Sequence, residues 1–317
     1  MQKYIPLSIQ KEFIEFEKQY LKIFQNRDKD INDILHHLTI THGKCIRPVL
    51  VLLSAEMTGQ INKKTYLIAT IIELLHMSSL VHDDVIDNAS IRRNQHTVNA
   101  IWSNKISVLT GDYLLSKCMQ ILCEFNDTFL YNYIGHLVNL MAEGELIQLT
   151  KINDFQISEQ EYYHIIEAKT AVLFAACMYL GAYSTSASED EMDDFEKIGK
   201  KIGMAFQIKD DLKDYDKNLK DKDFAKDIKE HIITLPLLHV LKKLNALQKK
   251  ELISLYENHR NEDSNILKII DIIQENGGVA YAESVIKSEL ESAIEIVVKQ
   301  KNTIYKESLM AIMQQIV

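Results

Sequence analysis

The chain has 317 residues, of which 46% are apolar, and a formal net charge of −9 at pH 7. The acidic balance argues against nucleic acid as the main partner, and this apolar fraction can form a core without disulfides. With only 3 prolines and 10 glycines among many Leu, Ile, Lys and Glu residues, the composition favours an all-α protein. We expect a single domain over residues 1–317.

Cysteine spacing and hydropathy indicate a cytoplasmic protein without a transmembrane segment. Cys45, Cys118, Cys123 and Cys177 show no C-x-x-C spacing, which indicates reduced thiols. The N-terminus lacks the basic-then-apolar pattern of a signal peptide. The longest apolar stretch, residues 171–183, is too short to span a bilayer, and we expect it to form a buried helix.

The first chemically informative segment lies near residue 45. Residues 8–40 are predicted to be helical, since apolar residues recur there every three to four positions. Lys44 and Arg47 follow, and Pro48 suits the first turn of the next, strongly apolar helix. A helix N-terminus favours an anion, so these two cations are candidates for anion binding. The alternative is a pair of solvated surface cations.

The central motif is an Asp-Asp-x-x-Asp segment inside an apolar run. On a helix, Asp83 and Asp87 lie on one face with Asp84 beside them. Carboxylates this close repel each other, and placing them among core residues costs desolvation energy. A divalent cation would compensate, because hard cations prefer carboxylate oxygen; the alternative is a solvated acidic turn. His76 lies on nearly the same face. A single histidine at such a position is more often a core residue than a ligand.

Two further sets of residues support an anionic ligand. Arg92 and Arg93 follow the first aspartates within about two helical turns, and adjacent arginines suit a diphosphate, unless they form a solvated pair that caps the helix. Lys169 lies where an apolar helix begins. Its ammonium group could bind a functional partner, or it could simply extend to solvent along the apolar surface.

A second Asp-Asp-x-x-Asp segment repeats the first. It consists of Asp210, Asp211 and Asp214 after a largely apolar approach. Two copies suggest two helices that present carboxylates to one shared site. The Asp- and Lys-rich residues 215–229 that follow predict an exposed, mobile loop.

Taken together, these residues resemble the trans-prenyl diphosphate synthase family. The motifs that carry the resemblance lie in the family's order and are Gly43-Lys44-x-x-Arg47-Pro48, His76, Asp83-Asp84-x-x-Asp87 with Arg92-Arg93, Lys169-Thr170, and Phe206-Gln207-x-x-Asp210-Asp211-x-x-Asp214. The resemblance implies an all-α isoprenoid synthase bundle of about ten or more helices around a deep central cavity. Two aspartate motifs favour chain elongation over terpene cyclisation.

The resemblance also implies a role for each residue. About three Mg²⁺ ions would hold the allylic diphosphate, with the six aspartates as ligands: Asp83, Asp84, Asp87, Asp210, Asp211 and Asp214. The main catalytic residues would be Asp83, Asp84, Asp87, Lys169 and Asp210. The allylic substrate would further contact Arg92, Lys169, Thr170, Gln207 and Lys222. Isopentenyl diphosphate would bind Lys44, Arg47, His76 and Arg93. One departure is Ile232, which stands where the family usually has a second lysine.

Product length and subunit composition are further expectations. Ser79, Leu75 and Ile72 share the face of Asp83, and Ser78 lies beside them. Since both serines are small, the cavity below the reacting carbon should stay open for a product of about 30 to 40 carbons. The sequence looks most like the catalytic component of two-component heptaprenyl diphosphate synthases, which serve menaquinone biosynthesis and need a small non-catalytic partner.

Other interpretations stay open. The chain could be a homomeric (dimeric) synthase of geranylgeranyl, hexaprenyl or octaprenyl diphosphate, or a non-catalytic regulatory subunit. Intact aspartates argue against the regulatory subunit. A metal-buffering helical protein is disfavoured by the cations around the carboxylates. We expect product release towards the membrane.

Overall fold

A computed structural model of the chain describes residues 5–40, 43, 45–217, 224–259, 262–301 and 303–315. The described residues are almost entirely helical, apart from one two-stranded antiparallel hairpin. The predicted all-α fold is therefore confirmed. Lys44, Lys222 and part of the predicted mobile loop lie outside the described residues.

The chain divides into two compact units. Unit 1 comprises residues 1–138, 176–196 and 300–309, and unit 2 comprises residues 139–175, 197–299 and 310–317. The prediction of one domain over the whole chain stays a prediction.

The first part of the chain forms six helices and the hairpin within unit 1. These elements are α1 (Gln10–Leu21), α2 (Lys29–Ile40), α3 (Ile46–Thr58), α4 (Lys63–Ile86), β1 (Ile91–Arg92), β2 (Gln95–His96), α5 (Val98–Ile101) and α6 (Asn104–Phe125), with short 3-10 turns at Leu7–Ile9 and Lys22–Phe24. Residues 8–40, predicted to be helical, thus form two α-helices with a break between them. Asp28 accepts hydrogen bonds from the N–H groups of Asp30 and Ile31 and starts α2 as a new helix.

The remaining helices follow in chain order. They are α7 (Thr128–Thr150), α8 (Glu159–Ile166), a π-helical turn (Glu167–Ala171), α9 (Val172–Ser184), α10 (Glu189–Asp211) with a 3-10 turn (Leu212–Tyr215), α11 (Lys226–Glu230), α12 (Leu235–Lys243), α13 (Ala246–His259), α14 (Asp263–Glu275), α15 (Gly278–Lys299) and α16 (Ile304–Gln314). In unit 2, α12 packs on α15 and α14, and the isoleucines on the inner face of α14 are fully buried: Ile266, Ile269, Ile270 and Ile273.

Helix α4 is the central element of unit 1. It begins with a capping box in which the Asn62 side chain accepts from the Lys64 N–H at 2.8 Å and the Asn62 N–H donates to the Thr65 hydroxyl at 3.2 Å. It packs along α6, where the Ser107 hydroxyl donates to the Val81 carbonyl at 3.1 Å. Because most of α4 is buried, polar residues are exceptions along this helix.

Within the described part of the chain, two helices are long and apolar enough to cross a membrane by length and composition. They cover Lys63–Ile86 and Glu159–Ser184, and 67% and 78% of their most apolar windows are buried. Core helices of soluble proteins pass the same test when they are mostly buried, as these are.

Candidate active site

The first aspartate segment lies at the C-terminal end of α4. Asp84 is buried, and its Oδ1 accepts a hydrogen bond from Arg92 Nε at 2.7 Å. Asp83 lies in the last turn, and the Asp87 N–H donates to its carbonyl at 2.8 Å. Asp83 and Asp87 keep part of their surface exposed. Asp84 is thus buried and held by an arginine, while Asp83 and Asp87 lie partly exposed at the same helix end.

The two arginines are carried by the hairpin and not by a continuation of the helix. The strands pair Ile91 with His96 and Arg92 with Gln95. Arg93 and Asn94 form the turn with φ values of 53° and 62°, the left-handed pair typical of a two-residue hairpin. Sequence analysis missed this hairpin. Asn94, a residue that tolerates positive φ, was the available signal.

A basic cluster lies in the same unit, where α3 begins beside α4. Arg47 Nη1 lies 2.9 Å from His76 Nε2. Burial and the charges of Arg47 and Arg93 hold the pKa of His76 well below its usual value, so the neutral imidazole accepts this hydrogen bond. The Arg93 guanidinium lies against Gly43, where an added Cβ would collide with it. The structure therefore brings Arg47, His76 and Arg93 together.

Sequence analysis missed an acid in this cluster. Glu73 is buried in α4, where burial raises the pKa of its carboxyl group and the charges of Arg47 and Arg93 oppose that rise. A glutamate inside the otherwise apolar run of residues 71–75 was the signal that could have revealed it, because Glu is almost never fully buried unless it is paired.

The second aspartate segment closes α10 in unit 2. Asp211 is buried and accepts hydrogen bonds from Tyr162 Oη at 2.7 Å and from Gln207 Nε2 at 2.8 Å. The Oε1 atom of Gln207 in turn accepts from the Thr170 hydroxyl at 2.7 Å. Thr170 and Gln207, both predicted at the allylic substrate, are thus joined in one hydrogen-bonded chain that ends on a motif aspartate.

Asp210 and Asp214 differ in their surroundings. Asp210 is exposed and paired with Lys213. Asp214 is buried, and it accepts from the N–H groups of Asp227 and Ile228 at the start of α11. Burial raises the pKa of Asp214 to about 8, and the nearby Asp227 carboxylate adds to the effect. Asp227, which sequence analysis did not single out, thus belongs to the same acidic group.

Lys169 lies in the π-helical turn between α8 and α9. Such turns are often found at functional sites. Its Nζ lies 2.7 Å from Glu145 Oε2 on α7. Gly144 allows this approach, because a Cβ there would come within 2.8 Å of the Lys169 backbone nitrogen. The predicted cation is therefore placed by close packing of two helices within unit 2.

The aspartates fit divalent cations by their chemistry. All six offer the carboxylate oxygens that Mg²⁺ prefers. Burial and the neighbouring carboxylates raise the pKa values of Asp211 and Asp214, so their negative charge has too little compensation from the protein alone. Across the described residues, no group of three or more His, Cys, Asp or Glu side chains is arranged to hold a metal ion. The predicted metal site stays a prediction.

Comparison with known proteins assigns the family. The polyprenyl synthetase family profile matches residues 28–273. The chain belongs to the polyprenyl synthetase family. It is 31% identical to the octaprenyl diphosphate synthase of Haemophilus influenzae over 272 residues, which cover 85% of this chain and 82% of that protein. It is 32% identical to heptaprenyl diphosphate synthase component 2 of Bacillus subtilis over 263 residues, 82% of this chain and 74% of that protein.

A solved structure supports the same assignment. The polyprenyl synthase of Caulobacter crescentus, complexed with calcium and isoprenyl diphosphate, matches with a TM-score of 0.89 and 25% identity, covering 97% of this chain and 94% of that one. Other relatives of this polyprenyl synthetase are named for geranylgeranyl and nonaprenyl products. The names therefore establish the class of synthase and leave the product length open.

The predicted chain-length residues of this polyprenyl synthetase lie on α4. The Ser78 hydroxyl is buried and donates to the Gly111 carbonyl on α6 at 2.8 Å. The Ser79 hydroxyl donates to the His76 carbonyl within its own helix at 2.9 Å, and this residue keeps some exposed surface. Leu75 and Ile72 are buried. Of the two serines, Ser79 is the more accessible to a growing chain.

Proposed function

We propose that this polyprenyl synthetase condenses an allylic diphosphate, with farnesyl diphosphate as the primer, with successive isopentenyl diphosphates. The product would be an all-trans polyprenyl diphosphate, with heptaprenyl as the first choice and a role in menaquinone side chains. Two observations around α4 carry the proposal. Arg92 binds the motif residue Asp84, and the basic residues Arg47, His76 and Arg93 lie together.

The chain's own residues account for binding and orientation. The six motif aspartates would hold Mg²⁺, which when bound neutralises the negative charge that builds up on the departing diphosphate. Arg92 and Lys169 would stabilise the same leaving group by donating charged hydrogen bonds. Arg47, His76 and Arg93 would hold isopentenyl diphosphate so that its double bond faces the allylic carbon.

The reaction then needs a dry, oriented site and a proton acceptor. The C–O bond of the allylic diphosphate breaks, the alkene attacks the allylic cation, and loss of a proton restores the double bond. We assign proton acceptance to the released diphosphate. A single side-chain variant that stalls only the deprotonation step would contradict this assignment.

The proposals for product length and for a partner subunit rest on sequence similarity and on one residue. The identity to heptaprenyl diphosphate synthase component 2 supports a small non-catalytic partner, and the small Ser79 supports a medium or long product. A homomeric octaprenyl or geranylgeranyl synthase is the second candidate, favoured by the identity to the octaprenyl enzyme of Haemophilus influenzae. The proposed location is the cytoplasm, with product release towards the membrane.

The test is a direct condensation assay. The purified chain is incubated with farnesyl diphosphate, isopentenyl diphosphate and Mg²⁺, with and without candidate partner subunits, and the products are sized by chromatography. Activity of the chain alone would favour a homomer, and strict dependence on a partner would favour the two-component enzyme. No condensation with any partner, or full activity of Asp83→Ala and Asp210→Ala, would refute the proposal.

A further inference from the structure

The segment that joins the first aspartate motif to α5 closes on itself through one side chain. It starts at the end of α4, forms the hairpin and returns as α5, which carries Asn99. The Asn99 Nδ2 atom donates to the Asp84 carbonyl at 3.2 Å and to the Ala89 carbonyl at 3.0 Å. Residues 84–99 therefore form a closed loop, and the proposed mechanism gives Asn99 no role.

The contact between Asn99 and α4 requires an amide donor. The last carbonyls of a helix have no partner inside the helix, and the Asp84 carbonyl instead accepts from the Ala89 N–H at 2.9 Å and from Asn99. Because both groups that Asn99 reaches here are acceptors, its NH2 group must face them. Its Oδ1 atom is buried without a hydrogen-bond partner among the described residues. Such an atom costs free energy, which favours a role in fixing the chain over a role in stability alone.

Thr97 holds the same loop from the residue before α5. Its hydroxyl donates to the Ala89 carbonyl at 2.7 Å, and its N–H donates to the Ser90 carbonyl at 3.2 Å. The Thr97 side chain is buried, so water competes little for these bonds. The two residues that lead into β1 are thus fixed against the residues that follow β2.

The closed loop carries Arg92 to the aspartate motif. Arg92 Nε donates to Asp84 Oδ1 at 2.7 Å, so the carboxylate of Asp84 is bonded to Arg92 while its carbonyl is bonded to Asn99. An arginine side chain has many rotamers, and a charged hydrogen bond needs an aligned donor. A fixed backbone on both sides of the hairpin reduces the arrangements that are open to Arg92.

We propose that Asn99 is a positioning residue that closes the loop over residues 84–99 and so holds Arg92 where it contacts the departing diphosphate. This inference rests on the proposed function, in which Arg92 stabilises that leaving group. Asn99 acts through hydrogen bonds to backbone carbonyls. Without them Arg92 would keep its charge, but the backbone that carries it would no longer be fixed relative to the motif.

A double-mutant cycle separates positioning from a purely structural role. If Asn99 acts through Arg92, its removal should matter only while Arg92 is present, whereas a general loss of structure should lower activity by the same factor in both backgrounds. The variants are Asn99→Ala, Arg92→Ala and their combination. Asn62→Ala is the matched control, because it removes side-chain hydrogen bonds at the opposite end of α4.

The experiment measures kcat/KM for the allylic substrate at saturating isopentenyl diphosphate, with whichever partner the wild type requires. We expect Asn99→Ala to lower kcat/KM about tenfold or more in the wild-type background and less than about threefold in the Arg92→Ala background. Asn62→Ala should lower the melting temperature and leave kcat/KM unchanged.

Hydrogen exchange followed by mass spectrometry supplies a readout that does not depend on activity. In Asn99→Ala the backbone N–H groups of residues 84–97 should exchange faster than in the wild type, because the loop is no longer closed. The residues of α1 should exchange at the wild-type rate in both proteins.

The outcomes separate the two claims. Equal factors in the two backgrounds would overturn the positioning role, and so would unchanged exchange across residues 84–97. If Asn99→Ala does not fold, judged by thermal melting, Asn99→Asp takes its place in the cycle, because it keeps the size of the side chain and removes the amide donors. A wild-type chain that fails to condense the substrates would instead refute the proposed function, and the exchange rates alone would then decide whether Asn99 fixes the loop.

Discussion

The substitution Gly144→Ala tests whether the close approach of α7 to the π-helical turn holds Lys169 in place. An added Cβ would lie 2.8 Å from both the Ala168 Cβ and the Lys169 backbone nitrogen. Ordinary contact between carbon atoms is about 4 Å, so the helix and the turn must separate by roughly 1 Å. The displaced backbone is the one that carries the proposed diphosphate contact.

The magnitude follows from two opposing effects. Replacing Gly by Ala inside a helix stabilises by about 1 kcal/mol, and overpacking of this kind costs about 1–3 kcal/mol. Gly144→Ala should therefore lose up to about 2 kcal/mol of stability. A misplacement of about 1 Å can lower kcat by as much as about a hundredfold, so we expect activity to fall more than stability.

The matched control lies on the same helix. Gly135 is exposed, and a Cβ there would meet no described atom within 4 Å. Gly135→Ala should gain about 1 kcal/mol and keep full activity. Urea denaturation and condensation kinetics measure both variants. Equal stabilisation of the two variants with unchanged kcat in Gly144→Ala would refute the idea that this packing positions Lys169.

Three further predictions address product length, the second aspartate segment and pH. Ser79→Phe should shorten the product because the larger side chain narrows the cavity below the reacting carbon. An unchanged product length by chromatography would contradict a role of Ser79 in setting that length. Tyr162→Phe removes the hydrogen bond to the buried Asp211 and should lower the free energy of unfolding, measured by urea denaturation, by about 1–3 kcal/mol. The control is Tyr163→Phe at the neighbouring, less buried position, which should lower it less. Equal losses in the two variants would argue against an effect of burial. Burial opposes ionisation of Asp127, but hydrogen bonds from Tyr183 and Lys64 outweigh it and lower the pKa of Asp127. The stability it contributes is therefore present above its unfolded pKa of about 3.9 and lost as pH falls through its lower folded value. Melting temperatures of the wild type and Asp127→Asn should differ at pH 7 and converge as the pH falls through that folded value.

Local sequence patterns predicted the parts of the site that lie on single helices. The all-α class followed from composition, and the spacing of Asp83 and Asp87 predicted that they share one helix face, with Asp84 beside them. The break in the N-terminal helix was missed, although Asp28 is a typical cap. Apolar spacing alone does not show where one helix stops and the next begins when both share the same period.

Features that depend on distant segments could not be predicted in the same way. His76 could be assigned to a core helix, but its partner Arg47 comes from another helix. The hydrogen bond from Thr170 to Gln207 likewise depends on the packing of the π-helical turn against α10. Such contacts are set by tertiary structure and leave no periodic trace in the sequence.

The hairpin turn ties two sites together through the covalent chain. Arg92 is hydrogen-bonded to Asp84, and the Arg93 guanidinium lies against Gly43. The two guanidinium groups are attached to consecutive residues, so they share one peptide unit that cannot stretch. A backbone shift of the turn would therefore displace both arginines together, and an extra residue inserted between them would separate their positions.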